Sequence, residues 1–341
     1  MIAIGLLIIA LGAFFQASSY VPINKVKDWS WENFWIVQGF FGWVMFPFIG
    51  AVLSIPAGHS LWELYASDPK ATLLTLFFGM LWGVGGLTFG LSMRYLGVAL
   101  GQSLALGICS ALGVILTPIA TDLIGLSEGM VGTLTGAVLA GVAVSFLGIL
   151  IIGLAGSMRA KSSQKEGESQ RFDFKKGIIV VLISGFMSAC FSIGQGCGAK
   201  LFYPETSPVM QGMPAMLMVT IGGFIVNAIY CFWLNMKNKN WGDFAKGRLV
   251  WSNLAFCLLA GLLWTTQMFG LCLGRGFFRN SPTMLAFSWA ILMTLNILFS
   301  NLWGIILKEW KGSTRKTILV LSLGLVILIV SIFLPEILTR T

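Results

Sequence analysis

Acidic side chains, which can carry protons or act in catalysis, avoid the middle of every long apolar stretch of this sequence. All 13 Asp and Glu residues lie in connecting segments or at stretch ends, and the single histidine, His59, lies in a connecting segment. The sequence has no H-E-x-x-H motif, no phosphate-binding glycine–lysine loop and no intramembrane carboxylate pair. We therefore expect no enzyme, no catalytic residue, no cofactor and no metal site.

Neutral hydrogen-bonding side chains, by contrast, lie beside aromatic residues inside the apolar stretches. An amide in lipid needs hydrogen-bond partners, so these side chains are expected to face the interior of a helix bundle. Amides can bind sugar hydroxyls and aromatic rings can cover an apolar sugar face, whereas an anionic ligand would favour an interior Arg or Lys. The alternative for each amide is helix packing. Eight residues are predicted to line a central substrate cavity: Gln16, Tyr20, Trp82, Gln102, Gln195, Trp264, Gln267 and Trp289.

The composition is that of a membrane protein. The 341 residues are 57% hydrophobic and 10% charged, with a mean hydropathy of +0.87, whereas about a quarter of the residues in a soluble domain are charged. The net charge of +9 does not indicate a nucleic-acid partner, because no basic cluster belongs to a soluble region. Excess Lys and Arg instead marks cytoplasmic loops.

Ten apolar stretches are long enough to cross a bilayer, which takes about 20 residues. The predicted spans are 1–21, 34–55, 71–92, 97–119, 129–156, 177–200, 209–235, 249–273, 283–307 and 317–335. The sequence thus predicts an all-α polytopic membrane protein with ten transmembrane helices.

The basic residues predict the orientation. Seventeen of the 22 Lys and Arg residues lie in the odd-numbered loops, and five lie in the even-numbered loops and the C-terminal segment. The odd loops are therefore predicted to be cytoplasmic and both termini periplasmic. The first apolar stretch has no preceding basic residue, so it is predicted to be a retained helix and not a cleaved signal peptide.

A motif occurs twice, about 180 residues apart. Gly-x-Leu-Trp at 79–82 is followed by Phe-Gly-Leu at 89–91 in the third span, and the same residues recur at 261–264 and 269–271 in the eighth span. The eighth span is the third of the second half. This register predicts that the two halves are related by duplication.

A polar segment divides the chain into these halves. The segment RAKSSQKEGESQRFDFKK at 159–176 is predicted to be a mobile cytoplasmic linker. The predicted domains are a first five-helix repeat at 1–156, a linker at 157–176 and a second five-helix repeat at 177–341. Because each half has an odd number of spans, equivalent helices cross in opposite directions. Such inverted repeats are typical of secondary transporters, which bind substrate near the membrane midplane.

Three segments resemble the L-rhamnose–proton symporter family of the bacterial drug/metabolite transporter superfamily. They are YVPINKVKDWSWE at 20–32, LWGVGGLTFGLSMRYLG at 81–97 and LKEW at 307–310. The similarity extends along nearly the whole chain. The resemblance implies two inverted five-helix repeats and the import of a neutral sugar such as L-rhamnose, driven by protons, across the bacterial cytoplasmic membrane.

The ninth helix departs from this family pattern. Enteric members carry an acidic residue shortly before a Ser-Trp pair, and Leu285 stands near that position ahead of Ser288-Trp289. The sixth helix keeps a version of the family's amide and Ala-Lys pair, at Gln195 and Ala199-Lys200. Because of this departure, the resemblance alone does not fix which sugar is bound or which residue carries the proton.

Proton coupling requires a group whose protonation changes with access to the two sides. The predicted coupling candidates are Lys200, Glu205 and Asp122, and the neighbourhood of Lys200 and Glu205 is favoured because it follows Gln195. The alternative is that Lys200 extends to the outer interface and Glu205 is solvated.

Two other functions stay open. The protein could be a metabolite exporter or an uncoupled facilitator of the same superfamily. A membrane sensor or scaffold would need a folded soluble output domain, and the longest connecting segment is too short and polar for one. The oligomeric state is left open.

Overall fold

The computed structural model describes residues 1–96, 98–163, 174–245 and 248–340, and these residues form helices and connecting turns without any strand. Ten of the helices are long and apolar enough to cross a membrane, which confirms the predicted all-α fold with ten spans. We number them in chain order: α1 Ile2–Ile23, α2 Trp31–Leu53, α3 Pro69–Met93, α4 Gly101–Ile124, α5 Gly136–Ala160, α6 Lys175–Cys197, α7 Met213–Asn238, α8 Val250–Gly276, α9 Pro282–Ile306 and α10 Arg315–Arg340.

Local sequence signals begin and end several of these helices. Helix α9 begins at Pro282, whose missing N–H is not needed in the first turn, and the Ser281 hydroxyl accepts a hydrogen bond from Met284 N at 3.3 Å. Helix α7 has Pro214 in its first turn and ends at Asn238, and the next residue, Lys239, adopts the left-handed conformation with φ 56°. A left-handed residue is a common way to end a helix.

The chain forms two compact units, and neither unit is one half of the sequence. The first unit comprises residues 1–83 and 194–279, and the second comprises residues 84–193 and 280–341. Each unit therefore contains chain from both sides of the predicted linker at 157–176, of which residues 164–173 lie outside the described residues. The division into two five-helix repeats stays a prediction, since a repeat concerns equivalence between helices and not which helices touch.

In the first unit, α1 and α8 pack closely through small residues. A methyl group added at Gly12 would lie 2.5 Å from Thr266 O, and one added at Gly270 would lie 2.9 Å from Ile8 O. The Thr266 hydroxyl donates to Gly12 O at 3.3 Å. Small residues let helix backbones approach when lipid supplies no hydrophobic driving force between them.

In the second unit, α5, α9 and α10 enclose an aliphatic core. Ile149 and Leu328 are fully buried in this core, and Ile152 and Ile297 are almost fully buried. Nearby, Ser145 and Thr294 share a hydrogen bond at 2.8 Å. Aliphatic side chains thus hold these three helices together.

Candidate substrate site

Four tryptophans of the first unit form one aromatic group, which we call the tryptophan cluster: Trp35, Trp43, Trp82 and Trp264. Trp43 is central, with ring centroids 5.5 Å from Trp35, 5.6 Å from Trp82 and 5.7 Å from Trp264. Trp82 and Trp264 are themselves 5.9 Å apart. The structure therefore brings these two predicted site residues together, and it adds Trp35 and Trp43 of α2, which were not in the predicted set.

The repeated motif explains how two of these rings reach the cluster. A methyl group added at Gly79 of α3 would lie 2.8 Å from Val219 Cα of α7, and one added at Gly261 of α8 would lie 2.8 Å from Gly42 N of α2. Each motif glycine thus permits backbone contact with another helix, and each motif tryptophan follows three residues later. Helix α3 thus packs on α7, and α8 packs on α2. If the halves are repeats, α3 corresponds to α8 and α7 to α2, so these two contacts are equivalent.

Asn227 of α7 links three helices beside the cluster. Its Oδ1 accepts a hydrogen bond from Trp35 Nε1 at 2.9 Å. Its Nδ2 donates to Gly223 O at 2.8 Å and to Gly83 O at 3.3 Å. Both ends of this amide are occupied by protein, so Asn227 holds α2, α3 and α7 together.

Other polar atoms near these helices are buried and have no hydrogen-bond partner within the described protein. They include Gln38 Oε1 and Trp43 Nε1 of α2, and Gln16 Oε1 of α1. The side chains of Gln38 and Trp43 are 2% and 4% exposed. A buried polar atom without a partner costs about 1–3 kcal/mol, so such atoms are the natural places for a ligand to supply hydrogen bonds.

The remaining predicted residues of the first unit differ in burial. Gln267 of α8 is buried, and its Cα lies 3.1 Å from a methyl group added at Gly12 of α1. Gln195, near the end of α6, is also buried. Tyr20 is 54% exposed.

The second unit contains the other two predicted site residues. Trp289 of α9 is 3% exposed, stacks on Phe191 with centroids 5.5 Å apart, and donates from Nε1 to Cys109 O at 3.2 Å. Its ring also fills the space beside Gly113 of α4. Gln102 is half-buried. The polar atom of Trp289 is therefore used by protein, which is the pattern of a packing residue.

Comparison with known proteins assigns the chain to a family. Residues 1–337 match the family described as L-rhamnose-proton symport protein (RhaT). The chain belongs to this family. The L-rhamnose-proton symporters of Cronobacter sakazakii and Yersinia pestis are each 33% identical to it, over 97% of this chain and 96% of theirs. The family is one of transporters and not of enzymes.

None of the three predicted coupling candidates is buried. Lys200 and Glu205 are both exposed in the segment that follows α6. Asp122, at the end of α4, accepts hydrogen bonds from Ser127 Oγ at 2.7 Å and from Val131 N at 2.9 Å. These bonds tie down the turn between α4 and α5.

The sequence analysis missed a buried carboxylate. Glu32, in the first turn of α2, is a charged side chain and is only 5% exposed. Its Oε1 accepts from Asn238 Nδ2 at 3.0 Å and from Asn240 Nδ2 at 2.8 Å. Nearby, Asp243 Oδ2 accepts from Ser30 N at 2.8 Å. The sequence placed Glu32 at a span end but carried no signal of its burial, because its partners are about 200 residues away.

Proposed function

We propose that this protein imports a neutral deoxysugar, with L-rhamnose as the first candidate, by proton symport across the bacterial cytoplasmic membrane. The family match over residues 1–337 and the named function of the relatives support this proposal. The structural observation that carries it is the tryptophan cluster with buried, unpartnered neutral polar atoms beside it.

The chemistry of the cluster suits a sugar. Trp82 and Trp264 are only partly buried, so part of each ring is accessible to an apolar sugar face. The polar side chains beside the rings, Gln38 and Asn227, are neutral amides. A neutral ligand needs no counter-charge, whereas a charged ligand would have to leave water to reach these buried side chains, which is costly.

The test of transport uses the purified protein in liposomes. With the outside made acidic, we expect L-rhamnose to accumulate above its equilibrium level, and a protonophore should abolish the accumulation. A panel of other neutral deoxysugars tests the specificity. Uptake that reaches equilibrium but never exceeds it would indicate the uncoupled facilitator, and no uptake of any sugar would contradict the proposal.

Coupling of proton movement to sugar transport is proposed to involve Lys200 and Glu205. The buried carboxylate of Glu32 is the alternative candidate. A coupling residue, once neutralised, should abolish accumulation but spare the exchange of labelled for unlabelled sugar. The variants are Lys200→Gln, Glu205→Gln and Glu32→Gln, with Asp122→Asn tested beside them. If the first two still accumulate sugar and Glu32→Gln only exchanges it, the coupling role belongs to Glu32.

The proposed topology places both termini in the periplasm. It rests on the distribution of Lys and Arg among the loops. In a background without the six native cysteines, single cysteines at Ser163 and Asn240 should resist an impermeant thiol reagent added to intact cells. Labelling of either position from outside would reverse the orientation.

A further inference from the structure

Helix α2 changes its winding at the tryptophan cluster. Residues Phe40–Met45 form a π-helical turn, in which Phe46 N donates to Phe41 O, five residues earlier. Such turns are rare and occur frequently at functional sites, because the extra residue disturbs regular helix bonding. Two contacts from α8 support the π-turn of α2. The Thr265 hydroxyl donates to Gly42 O at 2.6 Å, and Gly261 packs against Gly42.

The π-turn determines which side of α2 carries Trp43. Gln38 and Trp43 are five residues apart, and in a regular α-helix of 3.6 residues per turn they would lie about 140° apart around the axis. The i to i+5 bonding of a π-turn brings residues at this spacing toward the same side. The ring of Trp43 packs against Gly39, where an added methyl group would be 3.0 Å from Trp43 Cε3. The backbone oxygen of Gln38 faces α8, where it would lie 3.0 Å from a methyl group added at Gly261.

Gln38 and Trp43 combine deep burial with unused hydrogen-bonding capacity. Gln38 Oε1 and Trp43 Nε1 have no partner within the described protein. Within the tryptophan cluster Trp35 differs, because its Nε1 donates to Asn227 at 2.9 Å. A hydroxyl group both donates and accepts, so the hydroxyls of one sugar can supply a donor to Gln38 and an acceptor to Trp43.

We propose that Gln38 and Trp43 form a hydroxyl-binding subsite for the transported sugar. The Gln38 amide oxygen accepts a hydrogen bond from a sugar hydroxyl, Trp43 Nε1 donates one to a hydroxyl oxygen, and the rings of Trp82 and Trp264 cover an apolar face. This inference rests on the proposed sugar transport and adds the residues that select the substrate. A sugar lacking the bound hydroxyl leaves buried polar atoms unpaired, which is how a hydrogen-bonding site rejects a deoxy analogue.

The test combines side-chain truncation with sugar deoxygenation. The variants are Gln38→Leu and Trp43→Phe, and Trp251→Phe is the matched control because Trp251 is 80% exposed at the start of α8. The half-saturating concentrations of L-rhamnose and of its monodeoxy analogues are measured for exchange in liposomes, since exchange needs no proton coupling.

We expect each truncation to weaken apparent L-rhamnose affinity roughly ten- to hundredfold, and Trp251→Phe to leave it within about twofold. At least one monodeoxy analogue should bind the wild-type protein roughly tenfold or more weakly than L-rhamnose. The same analogue should bind Gln38→Leu or Trp43→Phe within about threefold of L-rhamnose, because the lost group no longer has a partner.

Folding is checked separately from binding. Gln38→Leu removes an unpartnered buried amide and should melt within a few degrees of wild type. Trp43→Phe also removes ring volume from a buried position, so it should melt somewhat lower. If both variants exchanged L-rhamnose with the same affinity as the wild-type protein, the subsite would be wrong and the proposed function would still stand. If the wild-type protein exchanged no neutral sugar, the proposed function would fail and the subsite with it.

Discussion

Trp43 and Trp289 are both almost fully buried and both contact other aromatic rings, yet the hydrogen bonding of their indole N–H groups differs. Trp289 Nε1 donates to a backbone carbonyl, that of Cys109 at 3.2 Å. Trp43 Nε1 has no partner in the described protein and lies on a π-helical turn. In the second unit, indole and backbone satisfy each other, which is what stable packing requires. In the first unit, the buried N–H of Trp43 has no acceptor in the described protein, which lowers stability.

The comparison shows that burial alone does not distinguish a binding residue from a packing residue. The sequence analysis placed Trp289 in the substrate site together with Trp82 and Trp264, because all three are tryptophans inside apolar spans. Its hydrogen bond and its stacking on Phe191 instead fit a role in holding the second unit together. Substrate-site membership of Trp289 thus stays a prediction that a binding measurement has to test.

The largest effect is expected at the backbone contact that supports the cluster. Gly261→Ala adds a methyl group 2.8 Å from Gly42 N and from Phe41 Cβ, so α2 and α8 must move apart. We expect a loss of about 1–3 kcal/mol in stability, seen as a lower melting temperature, together with weaker sugar exchange. Gly86→Ala is the control, because nothing lies within 4 Å of its added methyl group. Equal melting temperatures for the two variants would contradict the close packing of α2 on α8.

The second prediction compares the two buried indoles directly. Trp289→Phe leaves Cys109 O without its partner at 3.2 Å and should cost about 1–2 kcal/mol of stability. Trp43→Phe removes the same ring volume from a buried position but breaks no hydrogen bond within the described protein, so it should lower the melting temperature less. Thermal unfolding of the two purified variants in one detergent checks this. The opposite ranking would mean that Trp43, and not Trp289, is the packing residue.

The smallest effect is expected from the threonine that supports the π-turn. Thr265→Val removes the hydroxyl that donates to Gly42 O at 2.6 Å and should weaken sugar affinity by about threefold, equivalent to about 0.6 kcal/mol. Thr117→Val in the second unit removes a bond to Ser192 Oγ at 2.9 Å and serves as the control. Both variants lose a helix-supporting hydroxyl, so a drop in affinity in both would show a general loss of packing and not a specific support of the site.

The fold was predictable because its signals are local. A run of about 20 apolar residues is read within a single window, and the structure confirms ten spans. A repeated motif marks Trp82 and Trp264 in the sequence, and the structure brings their rings together, while their role in binding substrate stays a prediction. Whether the halves are inverted repeats is still a prediction, which the matching contacts of Gly79 and Gly261 favour.

The unpredicted part of the site depends on contacts distant in sequence. Gln38 and Trp43 lie in a predicted span, but their relation comes from a π-turn supported by Thr265, more than 200 residues away. The burial of Glu32 similarly depends on the amides of Asn238 and Asn240. Hydropathy and spacing within one helix carry no record of such pairings.

The central claim is that a neutral sugar binds at the tryptophan cluster of the first unit. The most direct measurement is the change in tryptophan fluorescence when L-rhamnose is added to the purified protein. We predict a saturable change in the wild-type protein and in Trp289→Phe, and the loss of that change in the double variant Trp82→Phe/Trp264→Phe. A change that persists with the same midpoint in the double variant but disappears in Trp289→Phe would place the sugar away from the cluster and contradict the account.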